Sequence, residues 1–573
     1  MTVPSPGPAL RGAAPADDGV VGGLLGAGNW TVYGVMIVIG LVVGAITMIV
    51  PWTPSYDPWN WLVWGREILH GSLHTQGGAS WKPLPVLFTT VLALFGKAQP
   101  FIWVVISRAG FVVMVLMTGK LTARVTLWLT AEQRPPRFRG ARWIERVGAG
   151  GPATLAALIA MLTVALGSGW ISDAALGYSE ALAAAFLVIG LERHIDGRYR
   201  QAFVCGFVAA LDRPEIWAFW GPYGLWLMWK DPGSRALVVS LAVLCLVLWF
   251  VPQKWGGGSF FSGVTRATHV RPNSNALKSC PFCSEITAAW TLSIFRVKIA
   301  AAVLILGGLG LALYLRRTRS RPEPRIRLTP LQRRALGVAV ISGLFGYAWW
   351  ALIALETQAG FSGNSRYLTV GLPFLNLAGG FCFAACAVVL ATLPQRWVPA
   401  ERERLGVAAR LALGTAVLTA FFALFPNWVG SNYINLPAFH RSLVYQATLR
   451  QNVRYLIRIH GGPKGLQNCG AGHIMVEGFQ VPMLAYYMGE RIDEIEAPPE
   501  TTSTGISLPR NAPWPNVILQ DRDTGSAALL PLWQTINGWE RQGAHYRIIT
   551  TKEIRFFEDC APQPNDQKAP TAS

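Results

Sequence analysis

The chain has 573 residues, 52% of them hydrophobic and 14% charged, with a formal net charge of +19 and a mean hydropathy of +0.34. Apolar runs of about 20 residues recur along it, which a bilayer demands and a soluble core does not, so the composition excludes an ordinary soluble protein. Nor is the basic excess a nucleic-acid signature: from residue 425 onward 13 Lys and Arg face 13 Asp and Glu, so the surplus lies in the apolar part of the chain.

Residues 1–28 are rich in Gly, Ala and Pro and read as a disordered cytoplasmic N-terminus. No cleavable signal precedes the first apolar run, so that run is expected to stay as an anchor. Asn29-Trp30-Thr31 matches a glycosylation sequon but falls on the expected cytoplasmic side.

Eleven spans are expected, near 31–50, 101–121, 150–170, 178–193, 201–212, 214–229, 236–251, 297–315, 335–355, 367–392 and 406–424. The alternative is that 201–212 and 214–229 form one segment broken at Pro214, which would reverse everything after it. Charge decides the parity. Basic residues crowd loop 122–149 (Arg124, Arg134, Arg137, Arg139, Arg142, Arg146), and eight Arg lie in 316–334. Smaller basic turns lie at 193–200, 230–235 and 396–404, and all five segments share a side only if eleven helices are counted. That side is expected to be cytoplasmic. The chain then reads as a multi-pass plasma-membrane protein with its C-terminal domain outside.

Two outside loops are long: 51–100, with helical spacing over 57–70 and a second apolar segment at 84–96, and 252–296. Both segments of the first loop read as helices lying at the outer interface, and its Trp52, Trp59, Trp61 and Trp64 are residues that settle there. Beyond 424 the pattern changes. A helix is predicted over 438–460 and strands at 472–477, 516–520 and 545–550, giving a mixed α/β domain over 425–560 and a disordered tail over 561–573. The predicted architecture is thus a polytopic α-helical membrane protein with an extracytoplasmic α/β domain.

Cysteine placement agrees with this orientation. Cys205, Cys245, Cys382 and Cys386 fall within predicted helices, where a thiol is an apolar filler. Cys280, Cys283, Cys469 and Cys560 fall outside, where disulfides persist; of three connectivities, Cys280 with Cys283 and Cys469 with Cys560 is preferred. Cys280-Pro-Phe-Cys283 also has the form of a redox motif or half a zinc site, but no thioredoxin-like pattern or second Cys/His pair accompanies it.

Charged groups near membrane helices are costly unless paired or hydrated. Asp57, Lys82, Asp173, Glu180, Arg213, Glu215, Glu356 and Arg366 all fall on the expected outer side. Asp57, in Pro51-Trp-Thr-Pro-Ser-Tyr-Asp57-Pro-Trp-Asn-Trp61, is the leading candidate base. It follows the first span and so meets substrates presented from the bilayer, although Asp before Pro58 also suits a helix N-cap. Glu180 or Asp173 is placed to orient an acceptor or tune Asp57 by like-charge proximity. Arg366 suits a lipid phosphate, with Lys82 a second phosphate candidate. Arg213 is either a third or one half of a structural pair with Glu215.

Tyr56-Asp57-Pro-Trp-Asn, Lys82-Pro-Leu-Pro85, Leu211-Asp-Arg-Pro-Glu215 and Ser362-Gly-Asn-Ser-Arg-Tyr-Leu368 together resemble the GT-C superfamily of membrane glycosyltransferases, in particular GT-C-like proteins of Gram-positive bacteria with high genomic GC. The resemblance spans roughly 31–424. It implies a polyprenyl-phosphate-linked sugar donor, Asp57 at the catalytic-base position and Arg366 at a phosphate-binding one. The chain departs from many members in lacking a second acidic residue beside Asp57, so no metal or other cofactor is expected. The implied reaction is inverting transfer to an extracytoplasmic glycan, lipid or protein during cell-envelope glycan assembly. A carboxylate is needed because a sugar hydroxyl is a poor nucleophile; a nucleotide site is not, because the donor arrives activated. A transporter or lipid flippase is the main competitor, disfavoured by the absence of internal repeats, and a non-catalytic envelope scaffold is the other.

Overall fold

In the computed structural model, residues 29–130, 142–268, 270, 274–317, 328–392, 435–498, 514–522 and 529–561 are described. The expected N-terminal tail, the eleventh span at 406–424 and nearly all of the expected C-terminal tail lie outside them. The helical body comprises α1 (Trp30–Ile46), α2 (Tyr56–Leu69), α3 (Pro83–Leu92), α4 (Gln99–Thr130), α5 (Arg142–Ala165), α6 (Ser168–Ala175), α7 (Glu180–Ile195), α8 (Tyr199–Ala210), α9 (Trp217–Lys230), α10 (Arg235–Gly257), α11 (Ser262–Thr268), α12 (Pro281–Leu292), α13 (Phe295–Arg317), α14 (Pro330–Gln358) and α15 (Leu372–Thr392).

Among the described residues six helices are long and apolar enough to cross a membrane, or seven if α6 and α7, bent by 116°, count as one broken span. The expectation of eleven therefore divides differently. The segments read at 178–193, 201–212 and 214–229 are helices of 16, 12 and 14 residues. At 1.5 Å per residue they reach about 18–24 Å, short of a hydrocarbon core of about 30 Å. Their apolar faces serve packing: Trp220 stacks on Phe203 at 4.7 Å, and Phe203, Ala209, Ala210 and Leu227 are buried.

The segment 51–100 holds the two expected helices, α2 and α3. They cross closely because Gly65 lies against Thr89, where a Cβ would come within 2.5 Å of the Thr89 backbone. Gly96, at φ 52°, then turns the chain into α4.

A buried ion network ties the far ends of α1, α4 and α7. Glu192 accepts from Tyr33 at 2.6 Å, from Arg124 at 3.2 Å and from Lys120, while Asp196 takes Arg124 and Arg193. Glu192 lies three helical turns along α7 from Glu180, so this network sits at the end of the bundle opposite Asp57.

The C-terminal domain contains α16 (Leu436–Ile459), α17 (Pro463–Gln467), α18 (Val481–Met488) and α19 (Trp533–Gln542), and strands β1 (Ile474–Val476), β2 (Ile495–Glu496), β3 (Val517–Arg522), β4 (Leu529–Leu530), β5 (Arg547–Thr550) and β6 (Ile554–Glu558). The sheet runs β2-β1-β3-β6-β5, with β4 paired to β3. β1 lies parallel to β2 and β3, and β3 antiparallel to β6 with Leu519 opposite Phe556. Val517, Leu519 and Phe556 are buried on one face of the sheet, and Ile518 and Phe557 on the other. Cys469 is bonded to Cys560, closing the domain, and Cys280 to Cys283 at the start of α12.

This domain docks on α2. The Arg66 guanidinium donates to the carbonyls of Tyr486 at 3.1 Å and Glu490 at 2.7 Å, a cation at the carbonyl end of α18. Trp59 packs against the rings of Tyr486 and Tyr487, and His74 meets Asp493 at 2.9 Å. Beneath this contact Glu67 accepts from the His74 amide at 2.9 Å, and burial pushes its carboxyl from 4.5 up to about 7. A carboxyl raised on folding contributes stability in full below about pH 4.5 and loses it as pH rises through about 7. The melting temperature of the wild type should therefore decline over that window relative to Glu67→Gln, and parallel profiles for the two proteins would contradict this.

Candidate active site at the helix ends

Local structure places each charged group. Lys82 is the extended residue before α3, whose first turn contains Pro83 and Pro85. The Leu84 amide donates to the Leu211 carbonyl at 2.9 Å, which brings Lys82 to the Asp212-Arg213 break between α8 and α9. Glu180 opens α7 and is fully buried. Arg366 lies in a 3₁₀ turn over Ser365–Gly371, begun by Asn364 and pinned by the indoles of Trp349 and Trp350 to the carbonyls of Tyr367 and Leu368. Asp57 is the second residue of α2. The N-cap is Ser55, not Asp57, so the aspartate is not spent on capping; its carboxylate accepts from the Arg366 guanidinium.

These groups converge on one oxygen. Glu180 Oε1 lies 3.0 Å from Lys82 Nζ, 3.2 Å from Arg213 and 3.8 Å from Arg366 Nε. Arg213 also meets Glu215 at 3.1 Å, and Lys82 lies 4.0 Å from Asp212. Aromatic faces complete the shell: Tyr367 under Arg213 at 3.7 Å, Tyr178 under Arg366 at 4.3 Å and Trp61 by Lys82 at 5.4 Å. Lys82, Glu180, Asp212, Arg213, Glu215 and Arg366 are all buried. In so dry a setting charge pairs interact far more strongly than in water, and separating one is costly. Three cations thus meet four carboxyls, Asp57 included. Arg366 Nη1 and Glu180 Oε2 have no hydrogen-bond partner among the described residues.

The structure brings together Asp57, Lys82, Glu180, Arg213 and Arg366. Asp173, on α6, makes no direct ion pair among the described residues, but it lies within electrostatic range of Glu180, Arg366, Arg213 and Lys82, and its main-chain carbonyl accepts from Tyr178. Three contributors were not singled out from the sequence. Asp212 was legible only as part of Leu211-Asp-Arg-Pro-Glu215, and Tyr178 and Tyr367 only as neighbours of Glu180 and Arg366. Among the described residues no group of three or more His, Cys, Asp or Glu side chains is placed to hold a metal ion.

No protein-family model and no curated protein matches the chain. Among solved structures it is similar to two crystal structures of ArnT from Cupriavidus metallidurans. One, bound to undecaprenyl phosphate, has a TM-score of 0.44 at 12% identity over 92% of this chain and 98% of that one. The other, in the apo state, has a TM-score of 0.43 at 12% identity over 91% and 97%.

Proposed function

We propose that this chain is a membrane glycosyltransferase that moves a sugar from a polyprenyl-phosphate donor to an acceptor on the outer side, in cell-envelope glycan assembly. The observation that carries this reading is the contact between Asp57 and Arg366 beside the Lys82–Glu180–Arg213 cluster: a proton acceptor and an anion-binding fork, side by side at the end of apolar helices.

The resting cluster has no surplus cation, so an arriving lipid phosphate must win Arg366 from Asp57. The guanidinium offers its unpartnered Nη1 to the phosphate, and its release leaves Asp57 free to accept a proton. The acceptor oxygen attacks the anomeric carbon, the bond from that carbon to the phosphate oxygen breaks, and the electron pair leaves on the lipid phosphate. Asp57 takes the acceptor proton, while Arg366 and Lys82 hold the departing anion. With one carboxylate acting at the sugar, the configuration inverts. Glu180 positions the three cations.

The test is turnover of a panel of polyprenyl-phosphate sugars by the wild-type protein in liposomes. One donor class should be consumed with release of polyprenyl phosphate. Neither binding nor turnover across the panel would overturn the assignment and favour a transporter or scaffold.

A further inference from the structure

Helices α13 and α14 run antiparallel and approach closely near Gly308. A Cβ on Gly308 would lie 2.6 Å from the Val340 side chain, and one on Gly343 would lie 3.1 Å from Ile305. Toward Arg317 and Pro330 the two helices part, and a Cβ on Gly337 would meet nothing within 4 Å. The gap is a groove of about 260 Å³ lined by Leu309, Leu315, Leu336 and Ile341, with Arg333 the one charged side chain among its described lining residues. Leu309 and Ile341 are 49% and 62% exposed, so the groove opens sideways on a surface made by two helices of spanning length. We propose that it is a lipid site: it holds an acyl chain of an anionic glycerophospholipid, whose phosphate rests on Arg333, Arg316 and Arg317.

The chain half of this assignment follows from the lining. A gap between helices forfeits dispersion contacts unless it is filled, and an apolar wall offers a water no partners. A hydrocarbon chain meets both demands. The head group is read from the end of the groove. Arg333, in the first turn of α14, lines it together with Leu315, which immediately precedes Arg316 and Arg317 at the end of α13. All three arginines are exposed. Arg333 Nε donates to the Leu328 carbonyl at 3.1 Å, which ties the guanidinium at the mouth. No carboxylate pairs with any of the three among the described residues. Uncompensated guanidiniums at the end of an apolar groove suit a lipid phosphate. A zwitterionic head group, which brings an ammonium as well, suits them less.

The neighbouring Arg334 is committed elsewhere. It donates to the Ile195 carbonyl and covers the Trp128 ring at 4.9 Å. That contact puts the mouth of the groove at the Glu192 end of the bundle, opposite Asp57. The occupant is therefore assigned to the bilayer's own anionic lipid, not to the donor, and the site does not rest on the glycosyltransferase reading.

The test uses the full chain in nanodiscs doped with a phosphatidylglycerol carrying a diazirine in one acyl chain, or with the phosphatidylcholine counterpart, and maps the cross-links after photolysis. Label on the exposed face of α1, at Val35, Val38 and Val42, counts ordinary boundary lipid. The phosphatidylglycerol probe should label residues 309–315 and 336–341 more densely than α1, and the phosphatidylcholine probe should not. Arg333→Gln should lower this excess about fivefold, and adding Arg316→Gln and Arg317→Gln should remove it. Gly337→Leu extends a side chain into open space and should displace the phosphatidylglycerol probe. Groove label no denser than on α1, equal label from the two probes, or label indifferent to Gly337→Leu would overturn the proposal. So would competition by polyprenyl monophosphate but not by unlabelled phosphatidylglycerol, which would make the carrier lipid the occupant. A groove that neither probe labels would belong to segment 406–424 or to a second copy of the chain, and would overturn it equally.

Discussion

Asp57→Asn is expected to lower sugar transfer by about a hundredfold or more, the range attributed to a general base, while binding of the polyprenyl-phosphate donor persists or tightens. The second half of this expectation separates a base from a structural carboxylate. The amide keeps the size of the side chain but removes the charge that holds Arg366 in the resting state. The guanidinium then meets the lipid phosphate without competition. A purely structural Asp57 would give the opposite pattern, a lower melting temperature with donor binding and turnover falling together. Donor affinity and single-turnover rate, measured on the same preparation, distinguish the two.

How much of this was legible in the sequence depends on the range of the interaction involved. The helix at Leu436–Ile459 and the strands near 474, 517 and 547 follow from local periodicity and were predicted to within a few residues. The helices α2 and α3 also followed from local signals: the Trp-rich run and the prolines after Lys82. The helices α7 to α9 are individually shorter than a bilayer core, which apolar content alone does not reveal; their lengths are set by breaks at Gly197 and Asp212–Pro214, and α7 reaches spanning length only together with α6. The candidate site was legible as a set of charges on one side, not as a set of partners. Arg366 reaches Asp57 across 309 positions, and no spacing rule encodes a contact of that range. Asp212 lay hidden beside its more conspicuous neighbour Arg213. Asp173 makes no direct ion pair, yet it lies within electrostatic range of Glu180, Arg366, Arg213 and Lys82, a proximity that sequence spacing also does not encode.

The Glu180 carboxylate should be the point at which the cluster is most fragile. One of its oxygens faces Lys82, Arg213 and Arg366, so Glu180→Gln leaves three cations in a buried site with their common counter-charge removed. Breaking a buried pair in this way costs about 3–5 kcal/mol, and the variant should melt well below the wild type. Removing a cation as well should reverse part of the loss: Lys82→Met on the Glu180→Gln background replaces a charge facing no carboxylate at 3.0 Å with an apolar chain beside Trp61. Recovery would be incomplete, because Arg213 and Arg366 still share the vacated space and Asp212 loses its nearest cation. The double variant should regain stability without regaining turnover, since Lys82 is assigned to the departing phosphate. If the single Glu180→Gln change left both melting and turnover intact, Glu180 would not be the hub of the cluster, and the positions of Lys82, Arg213 and Arg366 would need another cause.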